Sequence, residues 1–358
     1  MGRKRTINAV QPPDRILLIR PSALGDVCRT VPVLASLKLA WPDARIDWMV
    51  QDTFADAVRA HPALSAVVPF RRKELGTALR RGRFGPLRYY LRALREARYD
   101  LVIDAQGLFR SAFLARASGA PRRVGHGAAR ELAWLFYTDR ERGSEGRHTV
   151  DRMLALVRTI GVDPMAEMTL HTPPEDREAA ASDPRLREPY AVVAPTSRWP
   201  GKQWPIGRFD AVIERLLGDG AVGRVALVGG PSERDQCAPV LERAANDSRV
   251  IDLVGRTSVG RLMAVIERSA LVLANDSAAL HMAVGFDRPL VALFGPTRVD
   301  LVGPYRREAD VLQHPEPGDT RDHKSDHAGR PLMERIGVDE VLDACRLRLS
   351  RACARTHA

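Results

Sequence analysis

No apolar run among the 358 residues approaches the roughly 20 needed to cross a bilayer, which argues against a membrane-spanning protein. The basic start, MGRKRTINAVQPPDR, has no apolar segment behind it and does not read as a secretory signal. Cysteine is scarce. Cys28, Cys237, Cys345 and Cys353 stand far apart with no CxxC spacing, so neither a disulfide framework nor a structural zinc site is indicated, and reduced thiols in a cytosol are expected. Acidic residues fall short of basic ones, and the net charge of +11 implies an anionic partner: nucleic acid, an anionic membrane surface or a phosphorylated substrate. What remains is ordinary for a globular chain, with 45% apolar and 28% charged residues, and the length suggests two domains.

Much of the positive charge is local. Between Arg71 and Arg98 ten lysines and arginines face only Glu74 and Glu96. Leu87, Leu91 and Leu94 recur there at helical spacing, so the later half reads as an amphipathic basic helix. Such a face is either simply solvated or a contact for a membrane surface or anionic acceptor. No nucleic-acid reader motif accompanies it.

Along the chain, short apolar strands alternate with helical patterns. Strands are expected at Arg15–Arg20, Arg45–Val50, Leu64–Pro69, Tyr99–Asp104 and Pro121–Val124, with helices at Val27–Leu39, Thr53–Ala60, Phe109–Ala117 and His148–Ile160. Pro32 should kink the first helix, and Gly25 should form the tight turn before it. Asp26 then reads either as an N-cap or as a carboxylate at the carboxyl end of the first strand, where α/β sheets place their ligands. The polar strand ends Asp26, Asp104 and Gln106 should share that edge. Between Gly161 and Pro189 the chain turns proline-rich and acidic, as an interdomain connection would, and a second strand–helix series starts at Tyr190. The fold class is therefore α/β, with two Rossmann-like domains facing each other across a cleft: residues 1–165, a linker at 166–189, and residues 190–335. A last helix in 336–358 is expected to pack back on the first domain.

Two stretches of the second half carry chemistry. In LVLANDSAALHMAVGFDRPLVALFGPT (Leu271–Thr297), a buried strand leads through Asn275-Asp276-Ser277 into a short helix ended by Gly285. The N–H groups of Ser277, Ala278 and Ala279 and the helix dipole converge there on an anion site, unless this is only a capped helix. The loop Pro195–Pro205, PTSRWPGKQWP, holds two hydroxyls and the cations Arg198 and Lys202 between two tryptophans, suiting diphosphate neutralisation.

Five stretches taken together resemble glycosyltransferase family 9, the ADP-heptose:lipopolysaccharide heptosyltransferases. They are IRPSALGDVCRTVPVL (Ile19–Leu34), YDLVIDAQGLFRSAFLA (Tyr99–Ala115), PTSRWPGKQWP, VGGPSERD (Val228–Asp235) and NDSAALHMAVGFDRPLVALFGPT (Asn275–Thr297). Their order and spacing span roughly residues 15 to 305. The resemblance implies a GT-B fold with the acceptor on the N-terminal domain and the nucleotide-sugar on the C-terminal domain. It further implies inversion at the anomeric carbon and no cofactor or metal, which agrees with the lack of a DxD-type motif in a plausible loop.

Carried over by residue, the resemblance makes Asp26 the general base, its basicity raised by partial burial, and Lys202 the group that stabilises the departing ADP. Thr196, Ser197 and Arg198 would meet phosphate, Glu233 the ribose and Thr257 the adenosine pocket. Asp276 would orient the sugar, with Ser277, Ala278, Ala279 and His281 around the diphosphate. Ser22, Gly25, Asp104, Gln106 and Arg110 would bind the acceptor, with Arg71 and Arg72 on its anionic groups. Two departures stand out. Ala278 occupies the place where the family usually has glycine, and the cysteine-rich loop of one branch is replaced by HPEPGDTRDHKSDH (residues 314–327). In that loop His323 and His327, with Asp322 and Asp326, read as a polar loop rather than a metal site.

The function expected is transfer of heptose from ADP-heptose to a lipopolysaccharide-core or related glycan. The expected enzyme is monomeric, cytoplasmic and peripheral to the inner membrane face, binding no nucleic acid. A same-family transferase with another donor or acceptor, or a non-catalytic basic protein, are the competing readings.

Overall fold

The computed structural model describes residues 12–144 and 146–356. Most of the basic start read above, and the Cys353 side chain, lie outside the described residues. Cys28, Cys237 and Cys345 are free and buried.

The N-terminal half carries strands β1 (Arg15–Ile19), β2 (Arg45–Gln51), β3 (Ala66–Phe70), β4 (Leu101–Asp104), β5 (Arg122–His126) and β6 (Asp139–Glu141). Its helices are α1 (Leu24–Ala40), α2 (Arg72–Arg80), α3 (Gly85–Glu96), α4 (Phe109–Ala117) and α5 (Thr149–Arg158), and α6 (Pro174–Ser182) lies in the connection. The second half carries β7 (Tyr190–Ala194), β8 (Arg224–Leu227), β9 (Val250–Asp252), β10 (Leu271–Asn275), β11 (Leu290–Leu293) and β12 (Val311–Leu312). Its helices are α7 (Ile206–Gly218), α8 (Ala238–Asn246), α9 (Val259–Glu267), α10 (Ala278–Gly285), α11 (Val299–Val302), α12 (Asp326–Glu334) and α13 (Val338–Thr356).

Each half builds a six-stranded parallel sheet, ordered β3-β2-β1-β4-β5-β6 and β9-β8-β7-β10-β11-β12. The two orders are the same topology. Central strands such as Ile16–Ile19 and Leu271–Ala274 are fully buried because helices cover both faces, which is why their sequences are continuously apolar. In this order the chain reverses direction between the first and fourth strands. The crevice outside their carboxyl ends is where such sheets bind ligands. Four segments meet those two switch points: Pro21–Asp26 and Ala105–Gly107 in one half, Pro195–Pro205 and Asp276–Ala279 in the other.

The halves are not separate bodies with water between them. One apolar cluster runs from Val31 and Leu34 of α1 through Met153 of α5 to Leu280 and Met282 of α10, and α1 packs directly along α10.

Several expectations need correction. The last helix packs on its own domain: Val341, Leu342 and Cys345 of α13 join the core of α7, β10 and β11. Amphipathicity told which face it buries but not against what. Gly25 lies inside the first turn of α1, which opens at Leu24 after Ala23, and is not a turn residue. Its missing side chain makes room for His281, since a Cβ there would lie 2.7 Å from the ring. Gly285 is the last residue of α10, and the left-handed position comes later, at Asp287 (φ 48°). Glycine is required at 285 because Leu170 of the connection lies where a Cβ would be, at 2.5 Å, and donates its N–H to the Gly285 carbonyl at 3.0 Å. Thr53–Ala60 forms a 3-10 turn over Asp52–Ala57 rather than a full helix.

Candidate active site

Asn275 organises the C-terminal half of the crevice. Placed at the end of β10 and fully buried, it donates from Nδ2 to the Pro195 carbonyl at 2.7 Å and accepts the Trp204 N–H at 3.2 Å. One amide therefore holds both ends of the Pro195–Pro205 loop. Trp204 is buried against Phe209 and donates its indole N–H to Ile336 at 3.0 Å, a use of the ring consistent with its size and single polar handle. The sequence offers Asn275, Asp276 and Ser277 together as capping residues for the helix that follows. Of these, Ser277 occupies the N-cap position, and neither it nor another side chain caps α10. The Ser277 hydroxyl is buried without a hydrogen-bond partner among the described residues.

Around this helix start the loop places its polar groups. Lys202 donates from Nζ to Asp276 Oδ2 at 2.6 Å, both largely buried. Ser197 donates to the Asp276 carbonyl at 3.3 Å. Thr196 donates at 2.8 Å to Glu233, whose carboxylate also receives the Gly230 N–H at 2.6 Å. Thr257 sits half-buried in the turn after Gly255 (φ 71°), just before Ser258 caps α9. Arg198 differs from expectation. It is exposed and lies over the Trp199 ring at 5.0 Å, with His323 edge-on to the same ring at 5.9 Å.

In the N-terminal half, Asp26 is the third residue of α1 and accepts the Ala23 N–H at 3.3 Å. Two guanidiniums clasp it: Arg20 at 2.9 Å on one oxygen and Arg29 on the other. Arg20 and Arg29 are themselves only 8% and 7% exposed. Arg20 also donates to the Ala105 carbonyl, and Arg29 to the Val302 carbonyl of the opposite domain at 3.0 Å. Burial alone pushes the Asp26 pKa up, but the charges of Arg20 and Arg29 and the hydrogen bonds from Arg29 and Ala23 outweigh it. The carboxyl is held well below the usual range. This reverses the expectation that burial raises its basicity. Neither arginine was singled out from the sequence, although Arg29 stands three residues after Asp26 on a helix, the spacing at which such pairs meet.

The two halves touch where it matters. A Cβ on Gly25 would lie 2.7 Å from His281 Cδ2 and 3.6 Å from the Ala278 Cα, so the starts of α1 and α10 are in contact with Asp26 beside them. His281 is buried in that contact. Burial, then the positive Arg29, keep its pKa well below the usual histidine value, and the ring is neutral near pH 7.

The expected acceptor residues separate into groups. Gln106 receives the Ser22 N–H at 3.4 Å and, with Arg20, lines a cavity of about 360 Å³ that also includes His126, Arg130 and Arg152. Those last three carried no sequence signal beyond their charge. Arg72 and Arg110 line a different groove of about 880 Å³ over the ends of β2 and β3, while Arg71 is exposed and 3.7 Å from Glu74. Asp104 is fully buried and does not face the crevice. It receives Tyr137 O–H at 2.7 Å and the N–H groups of Gln106 and Gly107 at 2.9 and 3.2 Å, holding the loop in place.

The polar segment after His314 is irregular as far as Ser325, as the loop reading expects. Its end folds as α12, which packs on the Pro200–Lys202 turn with Gly329 set against Gly201. Among the described residues, no three histidine, cysteine or carboxylate side chains are grouped to hold a metal.

With both charged shifts downward, a pH dependence follows. Asp26 stays ionised at any pH well above its lowered pKa, so it does not titrate between about pH 5 and pH 8, and His281, its pKa also lowered, is neutral near pH 7. The rate of any reaction that uses Asp26 as a base should lack an acidic limb in that interval, which a kcat/KM profile measures. A limb with a midpoint near pH 6 would contradict this.

Residues 88–329 match the sequence pattern of glycosyltransferase family 9 (heptosyltransferase). Lipopolysaccharide heptosyltransferase 1 of Pseudomonas aeruginosa is 33% identical over 303 residues, covering 82% of each chain. Its counterpart in Salmonella typhimurium is 30% identical, covering 84% of this chain and 95% of its own. The structure superposes on E. coli ADP-heptose lps heptosyltransferase II with a TM-score of 0.78 at 22% identity, covering 94% and 99% of the two chains. It superposes on E. coli heptosyltransferase WaaC with ADP with a TM-score of 0.70 at 26% identity, covering 90% and 99%.

Proposed function

The chain belongs to glycosyltransferase family 9, the heptosyltransferases, and is a glycosyl-transfer enzyme of GT-B architecture; from that premise we propose that it moves heptose from ADP-heptose to an anionic, lipid-linked core glycan, with inversion and without metal. The observation that carries the reading is the contact between the start of α10 and the start of α1, which sets an uncapped helix N-terminus beside Asp26. A diphosphate at α10 gains the helix dipole, the backbone N–H groups of Ser277, Ala278 and Ala279, and the unpartnered Ser277 hydroxyl. It also competes with Asp276 for the Lys202 ammonium. Drawing Lys202 to the phosphates frees the Asp276 carboxylate to accept from a sugar hydroxyl. Glu233 and Thr257 face the nucleoside in this reading, and Thr196, Ser197 and Arg198 the phosphates.

Asp26 serves as the base. A carboxylate held this low is a weak base toward an ordinary sugar hydroxyl. Proton transfer therefore lags: the attacking oxygen forms its bond to the anomeric carbon first, becomes acidic, and then yields its proton to Asp26 as ADP departs. Lys202 meets the charge that develops on the leaving diphosphate. On the acceptor side, Ser22, Gly25 and Gln106 border Asp26, and the arginines along the sheet edge suit acidic groups of the glycan. Because such an acceptor is anchored in lipid, the enzyme works at the inner face of the cytoplasmic membrane.

Nucleotide selectivity tests the donor. ADP at about one hundred times its Kd adds about 2.7 kcal/mol to stability, so in the presence of EDTA it should raise Tm by a few degrees, more than UDP or GDP does. Greater protection by UDP or GDP would overturn the donor. Protection that appears only with added divalent cation would overturn the metal-free reading.

A further inference from the structure

Most large apolar side chains exposed on the described surface fall in one region of the N-terminal domain. Leu79, Phe84, Tyr89, Phe109, Phe113, Leu132 and Leu135 are all exposed there, with Phe84 and Leu132 at 61% and Tyr89 at 78%. They come from α2, the turn into α3, α3 itself, α4 and the 3-10 turn that follows β5. Leu79, Phe109 and Phe113 line the same groove of about 880 Å³, Phe109 stacks with Phe113, and Phe136 stands edge-on to Phe109 at 5.5 Å. A patch of this kind on a monomer marks a contact surface.

The charge around it identifies the contact. Many arginines elsewhere are paired with carboxylates, as Arg243 is with Asp210 and Arg335 with Asp319. Around the patch, among the described residues, Arg72, Lys73, Arg80, Arg81, Arg83 and Arg88 pair with no carboxylate. The α2–α3 hairpin concentrates both features at its tip, Arg80-Arg81-Gly82-Arg83-Phe84-Gly85, where Gly82 (φ 68°) makes the turn and the exposed Phe84 directly follows Arg83. The inward side of the hairpin is already used, by Leu75 and Leu94 in the core. The outward side has no partner in the fold.

We propose that this face is a bilayer-docking surface, with Phe84 and Leu79 entering the acyl region and the tip arginines binding the headgroups of an anionic phospholipid leaflet. Apolar tips flanked by unpaired cations match that boundary, whereas a neutral surface would leave the cations unsatisfied. The groove lies over the carboxyl ends of β2 and β3, the same sheet edge that carries Asp26, so a docked enzyme presents its acceptor side to the lipid. This rests on the reading of the acceptor as lipid-linked, but its test does not use catalysis.

The test is flotation of the whole protein with vesicles of phosphatidylcholine, with and without phosphatidylglycerol, containing no glycolipid. Binding is expected only with phosphatidylglycerol. Arg81→Gln and Arg83→Gln should each weaken it roughly fivefold, and Phe84→Ser roughly tenfold or more. The same number of charges removed at Arg187, Arg330 and Arg346 should change it less. Turnover on a delipidated, water-soluble acceptor should be unchanged in the hairpin variants. No binding to acceptor-free vesicles, or binding indifferent to Phe84→Ser and to the tip arginines, would overturn the docking surface. Absence of turnover on the soluble acceptor in the unmodified protein would instead count against the enzyme's assigned reaction and leave the flotation result standing.

Discussion

Asp26→Asn is expected to lower kcat about 100- to 10,000-fold while ADP still raises Tm as it does in the unmodified protein. The substitution keeps the size of the side chain and an oxygen to accept the Ala23 N–H. It removes the negative charge proposed to take the acceptor's proton. The nucleotide contacts proposed for the other domain are left untouched, so donor binding and turnover should separate. The structure adds a second effect. Arg20 and Arg29 are almost fully buried against this carboxylate, and an amide leaves both without a counter-charge. Free-protein Tm should therefore fall as well, and turnover has to be compared well below both unfolding transitions. Wild-type turnover in Asp26→Asn would remove the residue from the mechanism.

Lys202→Ala is expected to cost about 100- to 1,000-fold in kcat, the loss typical of removing one fixed group aimed at developing negative charge. ADP protection should weaken in parallel. In the free protein the same change strands Asp276, which is mostly buried and whose ion-pair partner in the structure is Lys202, and about 3 kcal/mol of stability should go with it. These two effects are separable. The double variant Lys202→Ala/Asp276→Asn removes the stranded charge and should recover Tm, while turnover stays low. If the double variant recovered turnover along with stability, Lys202 would be a structural partner of Asp276 and not a group acting on the leaving diphosphate.

The parallel sheets were legible because buried strands must be apolar on both faces, and runs such as RILLI and LVLAN have few other uses. The switch-point segments followed from that, since the order of strands dictates where their ends converge. Other features were not legible, for specific reasons. β6 is Asp139-Arg140-Glu141, a polar edge strand with no apolar signal. α12 contains Gly329 and Pro331, which argue against a helix locally; Gly329 is there because Gly201 approaches it. The same holds for Gly25 and Gly285, which looked like turn residues and are contact residues. Asn275 reads as one of three capping candidates beside Asp276 and Ser277, and only the fold shows the loop it holds. The pairing of Asp26 with Arg20 inverted the electrostatics, because a strand-end arginine announces charge but not its partner.

One guanidinium belongs to both domains. Arg29 clasps Asp26 with one nitrogen and holds the Val302 carbonyl with another, so the carboxylate proposed as the base is oriented in part by the domain proposed to carry the sugar donor. Thr149 and Tyr305 bridge the same seam, to Leu301 and Asp151. Separation of the domains would cost the proposed base one of its anchors as water gained entry. An activated sugar is vulnerable to hydrolysis throughout its stay on an enzyme, and under the proposed mechanism an opened, wet crevice would also be an unreactive one. On that proposal, fidelity of transfer to the glycan over transfer to solvent rests on the reach of a single side chain.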